Sequence, residues 1–415
     1  MKTMKLILLS FAVSAVAAAN VQAQDYRTDI NPALLYYKSF ILAPNLSPAD
    51  HDYLFTTNRQ SGKLPGRFGL LISEYDRQFN TIRQAAHATA PCDWGIDWSL
   101  GPGTLLPQLY RCKQAALTAQ LRVAWELQNG NEADAREDLV ATMALARNSS
   151  RDGSVIAVLV QIAIENIICS TVAENYYQFS PETLKQLADG FDAAPARGTL
   201  AAAISMEKTL SREWLVNKIA ALQQEYPGDD AKVMAALGKL FEGATTPDGK
   251  TDLWPQLSKE VGGTSDGLLQ TVRDEIPLYE KFAAISALPE PEYEIQIKQF
   301  AAEVQKASNP LFSISFPAVE KARPKEFKAQ ANLAMIRAAT EYKLHGDAGL
   351  KSVMDPFGSG PFNFERFKFK GVDRGFKLTS AYAGGNFPTA LIFVEKDGPP
   401  FVCYGVTIGQ PSPPQ

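Results

Sequence analysis

Histidine is the scarcest reactive side chain in the sequence, with His51, His87 and His345 alone in 415 residues. None stands at ligand spacing from other metal-binding side chains. No metal site is therefore expected, and each histidine reads as a surface or capping residue near a helix end. Cysteine is almost as scarce: Cys92, Cys112, Cys169 and Cys403 fit neither a zinc set nor a CxxC redox motif. Basic residues are not in excess, at 41 against 45 acidic ones, and no basic block occurs. This gives no phosphate-binding stripe and argues against a nucleic-acid partner. No glycine-rich cofactor loop is present, so no cofactor is expected. Beyond the first residues, no run reaches the eighteen or so apolar positions of a membrane span. Gln161, Glu165 and Asn166 interrupt the best candidate.

The opening does carry an apolar run, from position 6 to 19, behind Lys2 and Lys5 and ahead of Val21 and Ala23. It is too short to cross a bilayer. It has the charged start, apolar centre and small-residue exit of a signal peptide cleaved after Ala23. A periplasmic or secreted protein is expected, with 39 basic and 45 acidic side chains and a formal charge of −6 after removal. In that oxidising compartment Cys92 and Cys112, flanking a Gly/Pro/Trp-rich loop, are the expected disulfide. Closing a loop of that length contributes about 3 kcal/mol on the chain-entropy model. Cys169 and Cys403 read as small core hydrophobes.

The chain is organised around residues 154–179, whose first half is apolar on every side and so reads as a buried helix. Asp152 and Ser154 are placed to cap it, and Ser180-Pro181 ends it and opens the next helix. Helical spacing also marks 31–44, 68–86, a hairpin of 114–127 with 132–147, 199–226, 267–286, 291–307 and 325–344. Ser47-Pro48 opens a further helix. Residues 243–263, rich in Thr, Gly, Pro and Asp, read as a loop. After residue 345 the period changes to two, with strands expected near 362–369, 376–378, 390–394 and 401–404. The expected fold is mainly α, an irregular helical bundle or short α-solenoid over residues 24–310. A small α+β module with an antiparallel sheet follows over 311–408, and a disordered tail over 409–415.

With these landmarks in place, the sequence resembles a group of uncharacterised secreted bacterial proteins of the planctomycete type. The likeness rests on Asn31-Pro-Ala-Leu-Leu-Tyr-Tyr37, the Cys92–Pro107 loop, the run from Leu159 to Glu165, and Met206-Glu207. The C-terminal pattern, with DPFGSGPFNF from Asp355 and GFKLTS from Gly375, is similar to a module of pseudopilins. That module's Tyr-Pro-x-x-Leu is replaced here by Asp347-Ala348-Gly349-Leu350. The resemblance implies compartment and architecture and carries over no catalytic residue.

Two groups of residues are candidates for a site. Glu165 lies inside the apolar helix, and Glu207 lies on the next long helix. A buried carboxylate with a raised pKa beside an ionised one is the pair used in glycoside hydrolysis. The competing and favoured reading has each acid accepting hydrogen bonds that pin helix packing. Asp93, Trp94, Asp97 and Trp98 form either a stacking platform for a sugar or peptide or, as favoured, a plug at the end of the bundle. Gly263-Thr-Ser265-Asp-Gly267 matches a GxSxG elbow but lacks the strand before it, so Ser265 reads as a helix cap. Asp248 to Asp252 lacks the alternating ligands of a calcium loop. The leading expectation is a helical scaffold that binds an envelope protein or peptide. The alternatives are an envelope hydrolase using Glu165 and Glu207, and a plain structural protein.

Overall fold

Caps and prolines set the helix starts of this chain. In the computed structural model, which describes residues 29–57, 63–243, 245, 252–307, 309, 311–312, 316, 319–384 and 388–396, the fold is mainly α as expected. Helices α1 (Pro32–Ile41), α2 (Pro48–Asp52), α3 (Gly66–Ser73) and α4 (Asp76–Ala86) lead to the Cys92 loop, which ends in a 3₁₀ turn, Trp98–Gly103. The hairpin α5 (Pro107–Gln128) and α6 (Glu132–Ser149) follows, then α7 (Val155–Glu174) and α8 (Pro181–Ala193). One long helical run comes next: α9 (Leu200–Glu207), a π-helical turn (Lys208–Glu213) and α10 (Trp214–Glu225). The remaining helices are α11 (Asp230–Leu240), α12 (Leu253–Glu260), α13 (Ser265–Ser286), α14 (Glu290–Ala307) and α15 (Ala322–Ser352). Strands β1 (Asn363–Phe369), β2 (Val372–Thr379) and β3 (Ala390–Val394) form an antiparallel sheet in chain order. The expected signal segment, the strand at 401–404 with Cys403, and the tail lie outside the described residues.

Ser47, Ser154, Ser180 and Thr199 each accept a backbone N–H of their helix's first turn, satisfying a donor that has no partner within the helix. The expected helix 68–86 is instead two, with a break at Glu74 and Tyr75. The expected loop 243–263 contains α12, whose Leu253 and Leu257 are buried.

Three apolar clusters share these elements. The first joins α1 and α3 to α8 with the second half of α15 and the sheet. The second joins the start of α7 with α9, the end of α13, α14 and the start of α15. The third lies among α10, α11, α12 and α13. Two helices therefore cross from one core to another. In α7, Val155, Val158 and Ile162 belong to the second cluster, while Ile164, Ile168 and Val172 belong to the first. In α15, Phe327 and Ala329 belong to the second, and Ala331 and Met335 to the first. The sheet is continuous with the first core. Tyr176 meets Phe376 and Phe393 edge-on at 5.5 and 5.4 Å, and its hydroxyl donates to the Ala339 carbonyl at 2.8 Å. Gly375 (φ 153°) lies so close to the Phe393 carbonyl across the sheet that a Cβ has no room.

Among the described residues α7 alone has the length and apolarity of a membrane span, and most of it is buried against protein. Ile156 is the outlier, more than half exposed on the first turn. Removing the cap with Ser154→Ala is expected to cost about 1 kcal/mol. Ile164→Ala, in the packed centre, costs about 2–5 kcal/mol, whereas Ile156→Ser stays within about 0.5 kcal/mol of the parent. Urea unfolding of the three variants checks this ranking.

Candidate functional site

Glu165 is fully buried, and both its oxygens are in use. Oε1 accepts from Arg147 Nε of α6 at 2.7 Å, and Oε2 accepts from Arg197 Nε at 2.9 Å. Arg197 lies in the α8–α9 loop and brings its Nη2 to 2.8 Å from Oε2 and its Nη1 to 3.5 Å from Glu326 of α15. These two terminal nitrogens meet the carboxylates as charge contacts, outside hydrogen-bond alignment. Glu326, also fully buried, pairs with Arg323, which donates to the Leu288 carbonyl at 3.0 Å. Gln161, one turn before Glu165, accepts from Ser150 at 2.6 Å and from the Gly198 N–H at 2.9 Å. The result is an ionic chain from α6 through α7 and the 195–200 loop to α15, set where the first and second cores meet.

Glu207 does not join Glu165. Its Oε1 accepts the Val155 N–H at 3.3 Å, at the far end of α7. Ten residues along that helix is about 15 Å. Burial raises the Glu207 carboxyl above the usual range, partly offset by the Val155 N–H. The acid pair expected for a hydrolase is therefore not assembled. One acid closes a buried ion cluster, and the other helps to cap a helix.

The Trp loop divides in two. Trp94 is buried between Tyr36 and Phe40, stacked on both rings at 5.7 and 6.4 Å, and its indole N–H donates to the Asn148 carbonyl at 2.8 Å. Asp93 turns back to accept the Gly95 N–H, and its backbone exchanges hydrogen bonds with Asn31. Asp97 caps the 3₁₀ turn through the Ser99 N–H and hydroxyl, which lower its pKa. Trp94 is the plug, while Asp93 and Asp97 stay exposed and fix the turns of the loop, and Trp98 is half-buried. Cys92 and Cys112 are free thiols in the structure, not the bonded pair expected. Burial pushes Cys92 up to about 12 and Cys112 well above its ordinary value, and a protonated thiol is a poor nucleophile for disulfide formation. Cys169 is buried and free as well. Ser265 is not the cap of α13, a role taken by Thr264; its hydroxyl donates to Asp230 instead. Among the described residues no cluster of His, Cys, Asp and Glu is placed to hold a metal.

Sequence reasoning missed two further buried charge clusters. Asp138 of α6, fully buried, receives Arg122 at 2.9 Å and Arg83 at 2.7 Å, and Arg122 also meets Asp76. Glu275 of α13, also fully buried, lies 2.8 Å from Arg212 of the π turn. Burial raises its carboxyl to about 7 against the opposing pull of Arg212. A signal for both was present: each acid stands at three- or four-residue spacing among apolar residues, as in Leu268, Val272, Glu275, Tyr279 and Phe282. A groove of about 210 Å³ between α4, α6 and α8, floored by Ala86, Ala141 and Ala144, reaches neither Glu165 nor the Trp loop.

The surface beside the plug is apolar. Leu100, Leu105 and Tyr110 are 64, 83 and 63% exposed within eleven residues of chain. Trp214 joins them, half-buried, with its indole N–H on the Ser99 carbonyl at 2.8 Å and its ring over Gly101. Gly101 (φ 56°) is required there, since a Cβ overlaps the indole. Met206 and Ile156 are exposed as well, Met206 packing on Gly153 and Glu207 holding the Val155 N–H. Arg111, Lys113 and Arg151 are exposed and in no ion pair among the described residues, the first two following Tyr110 on α5.

Truncating Glu165 leaves two half-buried arginines short of a counter-charge. Glu165→Ala and Arg197→Met are each expected to cost about 3–5 kcal/mol in urea unfolding, with the double change costing less than the sum. The folded Glu275 pKa lies above that of an unfolded glutamate, so the folded state binds the proton more tightly. Stability from this group is full below pH 4.5 and falls as pH rises to about 7. Stability against pH for the parent minus that for Glu275→Gln should decline by about 3 kcal/mol across this window. No family model, curated protein or solved structure matches the chain.

Proposed function

We propose that the protein is a helical scaffold of the bacterial envelope, periplasmic or secreted after cleavage behind Ala23, that binds another protein or peptide. The observation that carries this reading is the exposure of Leu100, Leu105 and Tyr110 in one short segment, beside half-buried Trp98 and a Trp214 ring seated on Ser99 and Gly101. Large apolar side chains gathered on one face, with aromatic members, are the composition of interaction surfaces. The buried acids support the reading from the other side, since they are consumed in packing.

The rim charges describe the partner. Arg111 and Lys113 stand in the first two turns of α5, a helix start with no acid and no side-chain cap, where the dipole adds positive potential. Together with Arg151 they favour a segment that carries carboxylates beside its apolar anchors. The proposed pseudopilin-like and planctomycete-type kinship agrees with such a role and adds no chemistry to it.

A photo-crosslinking residue at position 105 should give one reproducible envelope adduct joined through an acidic, apolar-rich peptide. The same residue at position 70, equally exposed on α3, should not. Leu105→Asp with Tyr110→Ser should weaken binding at least tenfold while leaving the unfolding midpoint in place. Adducts that do not distinguish positions 105 and 70 would contradict the proposal.

A further inference from the structure

The exposed segment of Leu100, Leu105 and Tyr110 runs straight into bases. Arg111 and Lys113 follow Tyr110 on α5, and Gln108 of the same first turn reaches Asp152 at 3.5 Å, which sets Arg151 beside the start of that helix. The acids nearby are already engaged. Asp97 accepts from Ser99, and Asp152 accepts from the Ser154 N–H and hydroxyl.

The complementary chemistry stands on α14 of the same chain. Tyr293, Ile297, Phe300 and Val304 turn one side of this helix into the second core, and Ile295 on the opposite side is 61% exposed. Glu292 lies one turn before Ile295 on that outer side and is exposed as well. Glu290 and Glu294 flank the same turn, and Glu320 comes up from another segment. Burial raises the Glu290 and Glu320 carboxyls, Lys321 pulls Glu320 back in part, and the Glu294 charge adds to both rises. The neighbouring bases Lys281 and Arg323 are taken by Glu303 and Glu326. Among the described residues Glu290, Glu292, Glu294 and Glu320 enter no ion pair. A helix start favours acids in its first turn, which accounts for Glu290 and Glu292. It does not account for Glu294 and Glu320 crowding the same place.

We propose that the face of Leu100, Leu105 and Tyr110 docks on the start of α14 in a second copy of this chain, with Ile295 among its apolar residues and Glu290, Glu292 and Glu294 facing Arg111, Lys113 and Arg151. The inference rests on reading that face as the binding surface and names its occupant. The chain itself carries the carboxylates beside an apolar anchor that the face selects. Opposite charges across the contact set its register and speed encounter, and salt weakens it. Two distinct patches meet, one on an α5 that packs in the first core and one on an α14 that packs in the second. A copy that has lost one patch therefore still offers the other.

Sedimentation equilibrium of the purified protein reads the contact without any other partner. Mass should rise with concentration, and the dissociation constant should weaken about tenfold from low to high salt. Leu105→Asp with Tyr110→Ser removes one patch, and Glu292→Lys with Ile295→Lys removes the other. All these side chains are exposed, so both variants should keep the parent's unfolding midpoint. Each variant alone should be monomeric, and the two mixed should form dimers, because each supplies the patch the other lacks. A parent that is monomeric at every concentration, variants that associate as the parent does, or a mixture that stays monomeric each overturn the self-docking. Photo-crosslinking from position 105 separates this inference from the reading beneath it. In the purified protein the adduct should join that position to a peptide of α14. An adduct to a different envelope protein, with the purified chain monomeric, overturns the second copy as occupant and leaves the binding reading standing. No adduct in either the purified protein or envelope extracts overturns both.

Discussion

Arg197 lies between two buried glutamates, and the arrangement of this molecule depends on that contact. Glu165 sits midway along α7 and Glu326 near the start of α15, the two helices that pass from one apolar core into another. Glu165 stands where α7 passes between the cores, and Glu326 stands among the second-core residues of α15, with Arg197 reaching both. Removing two carboxylates from water is costly, and the cost is offset only if each finds a cation and further donors. Arg147, Arg197 and Arg323 supply the cations, while Gln161 and Glu326 hold backbone groups of the 198–200 stretch. The loop between α8 and α9 is thereby fixed by these charges and hydrogen bonds together with the packing of Ala194 on the first core.

The same device recurs at Asp138 and at Glu275, each buried with arginines from neighbouring helices. Such pairs give direction where apolar contact gives only adhesion. An alanine-rich interface such as α5 against α6 can slide at little cost, whereas a carboxylate held by two guanidinium groups admits one register. The clusters differ in completeness. Asp138 is met by two arginines, and Glu165 by two with an amide beside it. Glu275 has one arginine and no aligned donor, and burial raises its carboxyl to about 7 against the pull of that arginine.

Much of the fold was legible in local chemistry. Ser47, Ser154, Ser180 and Thr199 announce their helices, and the crowded Phe364, Phe367 and Phe369 announce the sheet. What escaped were features decided by tertiary contact. The π turn is hidden because Ile204, Leu215 and Ile219 keep an acceptable helical rhythm across it. Helix α12 is hidden by the Thr, Gly and Asp that surround Leu253 and Leu257. Glu165 announced itself by its apolar setting, but its partners lie 18, 32 and, through Arg197, 161 residues away, where no local pattern reaches. Trp94 and Trp98 look alike in sequence, and only the packing of Tyr36 and Phe40 makes one a plug and leaves the other at the surface.

The central claim is that the ionic chain through Arg197 makes two apolar cores into one cooperative unit. Native-state hydrogen exchange along α7 measures this directly, because residues 155–162 report on one core and 164–172 on the other. The parent protein should open both halves with one free energy. In Arg197→Met the two halves should separate, one exchanging through a lower-energy opening than the other. Two halves that remain locked together in the variant, with unchanged protection, would contradict the account.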